Sequence, residues 1–223
     1  MPTRSRQPRY EAEVRFPLGP AAQLGHRLRE AGGRLRLRYS FTDTVFRRPG
    51  DSGRAGAVLR LREERRPRRR CRLLLSVGQT RAAGGLVVRW PVLGEGKVCL
   101  YEGTRRDAER VARALGFEPQ FHVHHLRGRA WALPGGAEVV VEEVRAEGPD
   151  RAVELGWWAE VAVRAASPRQ AGQRLRSVLR WLGLEGQEGL SEGFPRFVER
   201  ALAGGPAHGV EARRSRPYVR RAP

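Results

Sequence analysis

Glu11-x-Glu13-x-Arg15 sets two carboxylates and a guanidinium at every second residue, so an extended chain carries all three on one side and Tyr10, Ala12 and Val14 on the other. Carboxylates at that spacing can ligate a hard divalent cation, and guanidinium groups grip phosphate oxygens through paired hydrogen bonds. The pattern recurs down the chain. Arg60, Arg62 and Glu64 alternate with Leu59 and Leu61, and His125, Arg127, Arg129 and Trp131 share a parity. Glu138 to Val144 interleaves acids with valines, and Glu160 sits within Trp157 to Val163. Arginines gathered on one face repel each other and lose hydration unless an anion compensates them, which suits a multivalent phosphate ligand.

The elements that must carry these residues read as strands with a few helices between them. Strands are expected over 10–15, 35–46, 57–64, 70–77, 85–92, 122–131, 138–144 and 157–163, with 78–84 as a connection. Helices are expected where Gly19-Pro20 opens a Leu24, Leu28, Ala31 periodicity closed by Gly32-Gly33, and from the Thr104/Asp107 capping pattern to Leu115-Gly116. Ser167-Pro168-Arg169-Gln170 starts another that runs to about Leu182, and a short amphipathic helix spans 195–202. One charged face per strand is ordinary when that face meets water. Charged faces on most strands point instead to a sheet closed on itself around a charged ligand, which also removes the sheet edges. The expected fold is an α+β domain, an antiparallel, eight-stranded closed β-barrel (tunnel) with peripheral helices, over residues 10–204. Basic tails without apolar periodicity flank it at 1–9 and 205–223, and both could attract nucleic acid.

Composition narrows the class. The 223 residues hold 43 Lys+Arg against 24 Asp+Glu, a formal net charge of +19, with 40% hydrophobic residues, enough for one ordinary core. No apolar run is long enough to span a bilayer and the first ten residues lack a secretory apolar stretch, so a cytoplasmic location is expected. Cys71 and Cys99 form no CxxC pair. Lys97 is the only lysine beside 42 arginines, a bias that resembles GC-rich coding as much as selection. His122 and His124 alternate away from His125, which argues against a zinc site. The GxSxG match at 189–193 lacks the preceding strand a nucleophile elbow needs. Eight arginines between Arg60 and Arg72 could track a nucleic-acid backbone, but few aromatics interleave with them and Arg65 to Arg70 read more simply as a hairpin tip.

Glu11-x-Glu13-x-Arg15 resembles the ExExK signature of the CYTH superfamily, the triphosphate tunnel metalloenzymes that include class IV adenylyl cyclases and thiamine triphosphatases. Thr42-Asp43-Thr44-Val45-Phe46, Leu59-Arg60-Leu61-Arg62, His125 to Trp131, Glu142-Glu143-Val144 with Gly148, and Trp158 to Ala162 resemble later family strands in collinear order, from Tyr10 to Gly183. The resemblance implies Mg²⁺ or Mn²⁺ held by Glu11, Glu13 and Glu160, with Glu142 or Glu143 as a further ligand. It implies phosphate binding by Arg15, Arg60, Arg62, His125, Arg127 and Arg129, with Arg15 at a catalytic position. Tripolyphosphate, ATP or thiamine triphosphate would be the substrate, and a homodimer is an open alternative because dimers are common in the cyclase branch. Three positions depart from the pattern: Val77 replaces a lysine, Leu86 to Pro91 has no acid, and Ala162 replaces a glutamate. Two functions therefore stand open. One is metal-dependent cleavage of a triphosphate, by hydrolysis or cyclisation; the other is a catalytically degenerate module that binds polyphosphate, nucleotide or RNA ends.

Overall fold

The computed structural model describes residues 10–19, 21–50, 57–83, 86–91, 97–187, 189–190 and 193–205. The expected basic tails, apart from Gly205, and Ser191 and Glu192 of the GxSxG match lie outside the described residues.

Strands β1 (Tyr10–Pro17), β2 (Arg34–Arg47), β3 (Ala57–Arg66), β4 (Arg70–Ala83), β5 (Leu86–Pro91), β6 (Lys97–Glu102), β7 (Glu118–Ala132), β8 (Glu138–Glu147) and β9 (Ala152–Ala165) form one antiparallel sheet. Helices α1 (Ala21–Glu30), α2 (Arg105–Ala114), α3 (Pro168–Trp181) and α4 (Phe194–Leu202) complete the α+β chain. The caps are those the sequence specifies: Thr104 Oγ1 accepts from the Asp107 amide at 3.2 Å, and Ser167 Oγ accepts from the Gln170 amide at 3.3 Å. No described helix is long and apolar enough to cross a membrane.

The strand order is β3-β2-β7-β8-β9-β1-β5-β4-β6, with β3 also paired to β4. The sheet has nine strands where eight were expected. The additional one, β6, spans Lys97-Val98-Cys99-Leu100-Tyr101-Glu102, whose weak polar alternation hides it in the sequence and whose residues are largely exposed. Strand β4 also runs on through 78–83, which the glycine at 78 had marked as a connection.

Cross-strand partners share a face, so the register separates the two sides of the sheet. On one side, Ala12, Val14 and Phe16 of β1, Val139 and Val141 of β8, and Val161 and Val163 of β9 are buried with Leu24 and Leu28 of α1 and Leu175 and Leu179 of α3. Farther round the same side, Phe46, Leu59, Leu61 and Leu73 pack on Ala108 and Ala112 of α2. The other side holds Glu11, Glu13, Arg15, Asp43, Arg60, Arg62, Glu142 and Glu160. Helix α4 covers one end of this charged side, where Phe194, Phe197 and Val198 are buried with Trp158, Val144, Phe121 and Val45.

One strand breaks the expected alternation. In β7 the register to β8 slips between Leu126 and Arg129, and Arg127 takes φ = 46°, a left-handed conformation that lets a bulge form. The slip corrects the shared parity expected of His125, Arg127, Arg129 and Trp131. His125 stays on the charged side, Arg127 and Arg129 are exposed, and Trp131 is buried in the helix-covered core. Gly128 follows the bulge and pairs with Tyr39, whose ring lies across it. A Cβ on Gly128 would sit 2.3–2.6 Å from three atoms of that ring. Gly128→Ala is therefore expected to destabilise the chain by about 1–3 kcal/mol, read as a lower Tm.

Candidate functional site on the charged face

Glu142 is the centre of the charged face. Its side chain is 3% exposed and takes three partners from three other strands. Arg15 of β1 donates through Nη2 to Oε1, and the Tyr39 hydroxyl of β2 donates to Oε2 at 2.7 Å. His125 Nδ1 of β7 lies 2.9 Å from Oε2, an ion-pair distance without hydrogen-bond alignment. Arg15 also donates through Nη1 to Glu160 Oε2 at 3.2 Å, and its guanidinium carbon stands 3.6 Å from the centre of the Phe194 ring. Burial works to raise the Glu142 pKa, but the His125 and Arg15 charges and the hydrogen bonds overcome it and hold the group at about 2. The same carboxylate, together with burial, drives the Tyr39 hydroxyl pKa well above its ordinary value.

Asp43, 2% exposed, forms a second centre on β2. Arg62 clamps it with two parallel bonds, Nε to Oδ1 and Nη2 to Oδ2, both 2.8 Å. Arg60 Nη1 lies 3.5 Å from Oδ2 while its Nη2 donates to Ser76 Oγ at 2.8 Å. Burial opposes ionisation of Asp43, yet the two arginines hold its pKa far below the ordinary carboxylate range. The Phe41 ring joins the two centres, stacked on His125 at 4.1 Å and under the Arg62 guanidinium at 3.8 Å.

Of the residues singled out in the sequence, Arg15, Arg60, Arg62, His125, Glu142 and Glu160 come together here. Glu11 and Glu13 lie farther along β1 on the same side: Glu11 accepts from Arg164 Nε at 2.9 Å, and Glu13 is buried across from Ala162. A cavity of about 310 Å³ opens beside them, lined by Glu11, Glu138, Ala162, Arg164 and Arg174. Glu143 is a correction: it is adjacent to Glu142, so alternation turns it to the opposite side, where it accepts from Arg127 Nε at 2.6 Å near Trp157. Arg127 and Arg129 likewise leave the charged face because of the bulge. His122 and His124 bond Thr44 and Thr42 on the outer side at 2.9 and 3.1 Å, away from His125 as expected.

Two contributors escaped the sequence. Tyr39 carried no motif, and it reaches Glu142 only because Gly128 leaves room. Lys97 pairs in register with Ser76, which puts its amine on the charged face. Its pKa is lowered, first by desolvation and then by the Arg60 and Arg62 charges, against the pull of Glu160 and Asp43. Lys97 nevertheless remains exposed to water. Being the sole lysine of the chain was the one signal that could have marked it.

Magnesium requires near-octahedral oxygen ligation at about 2.0–2.1 Å, and the expected carboxylates do not supply it as arranged. Glu142 is held by Arg15, Tyr39 and His125, Glu160 by Arg15, and Glu11 by Arg164, while Glu143 faces away. Among the described residues no three His, Cys, Asp or Glu side chains gather to hold a metal ion. As arranged, Glu11, Glu142 and Glu160 are paired with arginines, Glu143 lies on the opposite side of the sheet, and Glu13 remains buried on the charged face.

Solved structures share this architecture. A protein from Pyrococcus horikoshii matches with a TM-score of 0.62 at 13% identity, over 86% of this chain and 99% of its own. A candidate adenylate cyclase from Vibrio parahaemolyticus matches with a TM-score of 0.60 at 12% identity, over 85% and 98%. The chain has a CYTH-like fold. A candidate adenylyl cyclase from Hippeastrum, whose dominant activity is that of a triphosphatase, matches with a TM-score of 0.57 at 14% identity, over 90% and 99%. No family model and no curated protein matches the sequence. Identities this low carry the CYTH-like architecture and leave the activity to the site itself.

Because the Glu142 pKa lies below its ordinary 4.5, at about 2, its stabilisation is complete above pH 4.5 and disappears as the pH falls toward 2. The shift corresponds to on the order of 3 kcal/mol at neutral pH, and Asp43 acts in the same direction. Thermal melts between pH 7 and pH 2 should therefore show Tm falling through this window. Glu142→Gln should melt lower at pH 7, having left Arg15 without its buried carboxylate, and should follow a flatter curve in acid.

Proposed function

We propose that the charged face curls into the lining of a tunnel and binds a triphosphate or nucleotide polyanion through guanidinium groups and the Lys97 amine. The additional pairing of β3 with β4 supports the curl, since it links β3 at one end of the strand order to the strand next to last at the other. The charge count at Asp43 carries the reading. The charges of Arg60, Arg62 and Lys97 all act at a single buried carboxylate that Arg62 clamps, so positive charge exceeds negative there and favours an incoming anion. The triphosphatase activity of the Hippeastrum protein favours the same ligand class.

The arginine-paired carboxylates favour binding over metal-dependent cleavage. A cation entering this face would have to displace Arg15 or Arg164 from its partner, and the cost of stranding a guanidinium partly out of water opposes that exchange. Tripolyphosphate, ATP and thiamine triphosphate all offer the charge the site lacks.

Tripolyphosphate is expected to raise the Tm in EDTA, with the increase much reduced in Arg60→Gln. Phosphate or pyrophosphate release that requires Mg²⁺ or Mn²⁺, and that disappears in the Glu11→Gln,Glu13→Gln double variant, would overturn the binding reading in favour of catalysis. No Tm increase with any of the three ligands would remove the anion site altogether.

A further inference from the structure

Lys97 stands apart from the other cations of the charged face. Arg15, Arg62 and Arg72 each hold a carboxylate, whereas Lys97 forms no ion pair with any Asp or Glu among the described residues. Its strand, β6, lies at the end of the sheet order and pairs with β4, Lys97 standing opposite Ser76 at one end of that pairing. Ser76 is small, so the β4 position between Lys97 and β3 is left open, and Arg60 reaches across it to bond the Ser76 hydroxyl at 2.8 Å. The register and this bond bring Lys97 and the Arg60 guanidinium to either side of Ser76, with the Arg62 charge acting on the amine as well.

Neighbouring cations favour the neutral amine, one of the conditions that turn a lysine into a nucleophile. The same guanidiniums are a binding site for a phosphoryl group. We propose that Lys97 is an acyl-acceptor site for acyl phosphates, with Arg60 and Arg62 holding the phosphoryl end of the ligand while Nζ takes its acyl group. The Nζ lone pair forms a bond to the acyl carbon and the bond from that carbon to the bridging oxygen breaks. Inorganic phosphate leaves with the bonding electrons, the amine proton passes to phosphate or solvent, and a neutral Nε-acyl lysine remains. The modification removes one cation from the face, so it weakens polyanion binding; this consequence, though not the acylation, rests on the proposed function.

The chain's single lysine makes the test direct. The full chain is incubated with acetyl phosphate and followed by intact mass and peptide mapping, with the chain's α-amine as an internal reference for unselective acetylation. Acetylation of Lys97 ahead of the α-amine is expected, lost in Lys97→Arg and slowed severalfold in Arg60→Gln. Acetic anhydride, which carries no phosphate, should label Lys97 with a loss in Arg60→Gln much smaller than the loss seen with acetyl phosphate, since Arg60 then acts only on the amine and not on the reagent. Acetylation of the α-amine without Lys97, or a Lys97 rate with acetyl phosphate that is indifferent to Arg60→Gln, would overturn the proposal. Tripolyphosphate separates the two readings. If it raises the Tm while Lys97 stays unmodified, anion binding stands and the acyl-acceptor site falls. If Lys97 is acetylated in an Arg60-dependent way with no protection by tripolyphosphate, the acyl-acceptor site stands and the triphosphate reading falls.

Discussion

A carboxylate cannot remain ionised inside a protein unless opposite charge and hydrogen bonds replace its water, and the arrangement around Glu142 is built on that requirement. Arg15, Tyr39 and His125 come from β1, β2 and β7 to meet a group on β8, so four strands are tied at one side chain. Neutralisation here is also orientation. Arg15 is fixed between Glu142 and Glu160 and lies flat on Phe194, which couples the charged face to the helix covering its end.

Asp43 repeats the device with a different balance. One carboxylate meets Arg62 in a two-bond clamp, Arg60 at longer range, and the field of Lys97. The Glu142 centre has nearly matched charges and the Asp43 centre has an excess of cations, although Phe41 joins them in one stack. The excess of positive charge therefore lies at the Asp43 end. Glu142 and Glu160 hold Arg15, and Glu11 holds Arg164, so these carboxylates orient arginines across the face.

Much of the architecture was legible because strand periodicity is local. The alternation of Glu11, Glu13 and Arg15 against Ala12 and Val14, and of Arg60 and Arg62 against Leu59 and Leu61, follows from the two-residue repeat of an extended chain. The same rule failed for Arg127 and Arg129, because a bulge inserts a residue and reverses every side chain beyond it, and nothing in Leu126-Arg127-Gly128 marks the slip unambiguously. Glu143 failed for the complementary reason: with two adjacent acids, only the register to β7 and β9 decides which one turns inward.

The sequence by itself determined that the sheet would have one charged face and one apolar face, that helices would cover the latter, and that cations would outnumber acids along the chain. Those properties depend on residue type and short-range spacing, which the chain carries in one dimension. Only the tertiary structure decided which charges neutralise each other, that Tyr39 crosses Gly128 to reach Glu142, and that Lys97 arrives beside Ser76 on a strand the pattern did not reveal. Pairing between residues a hundred or more positions apart is set by strand register, and at a buried carboxylate a few ångströms of register separate a metal ligand from the anchor of an arginine.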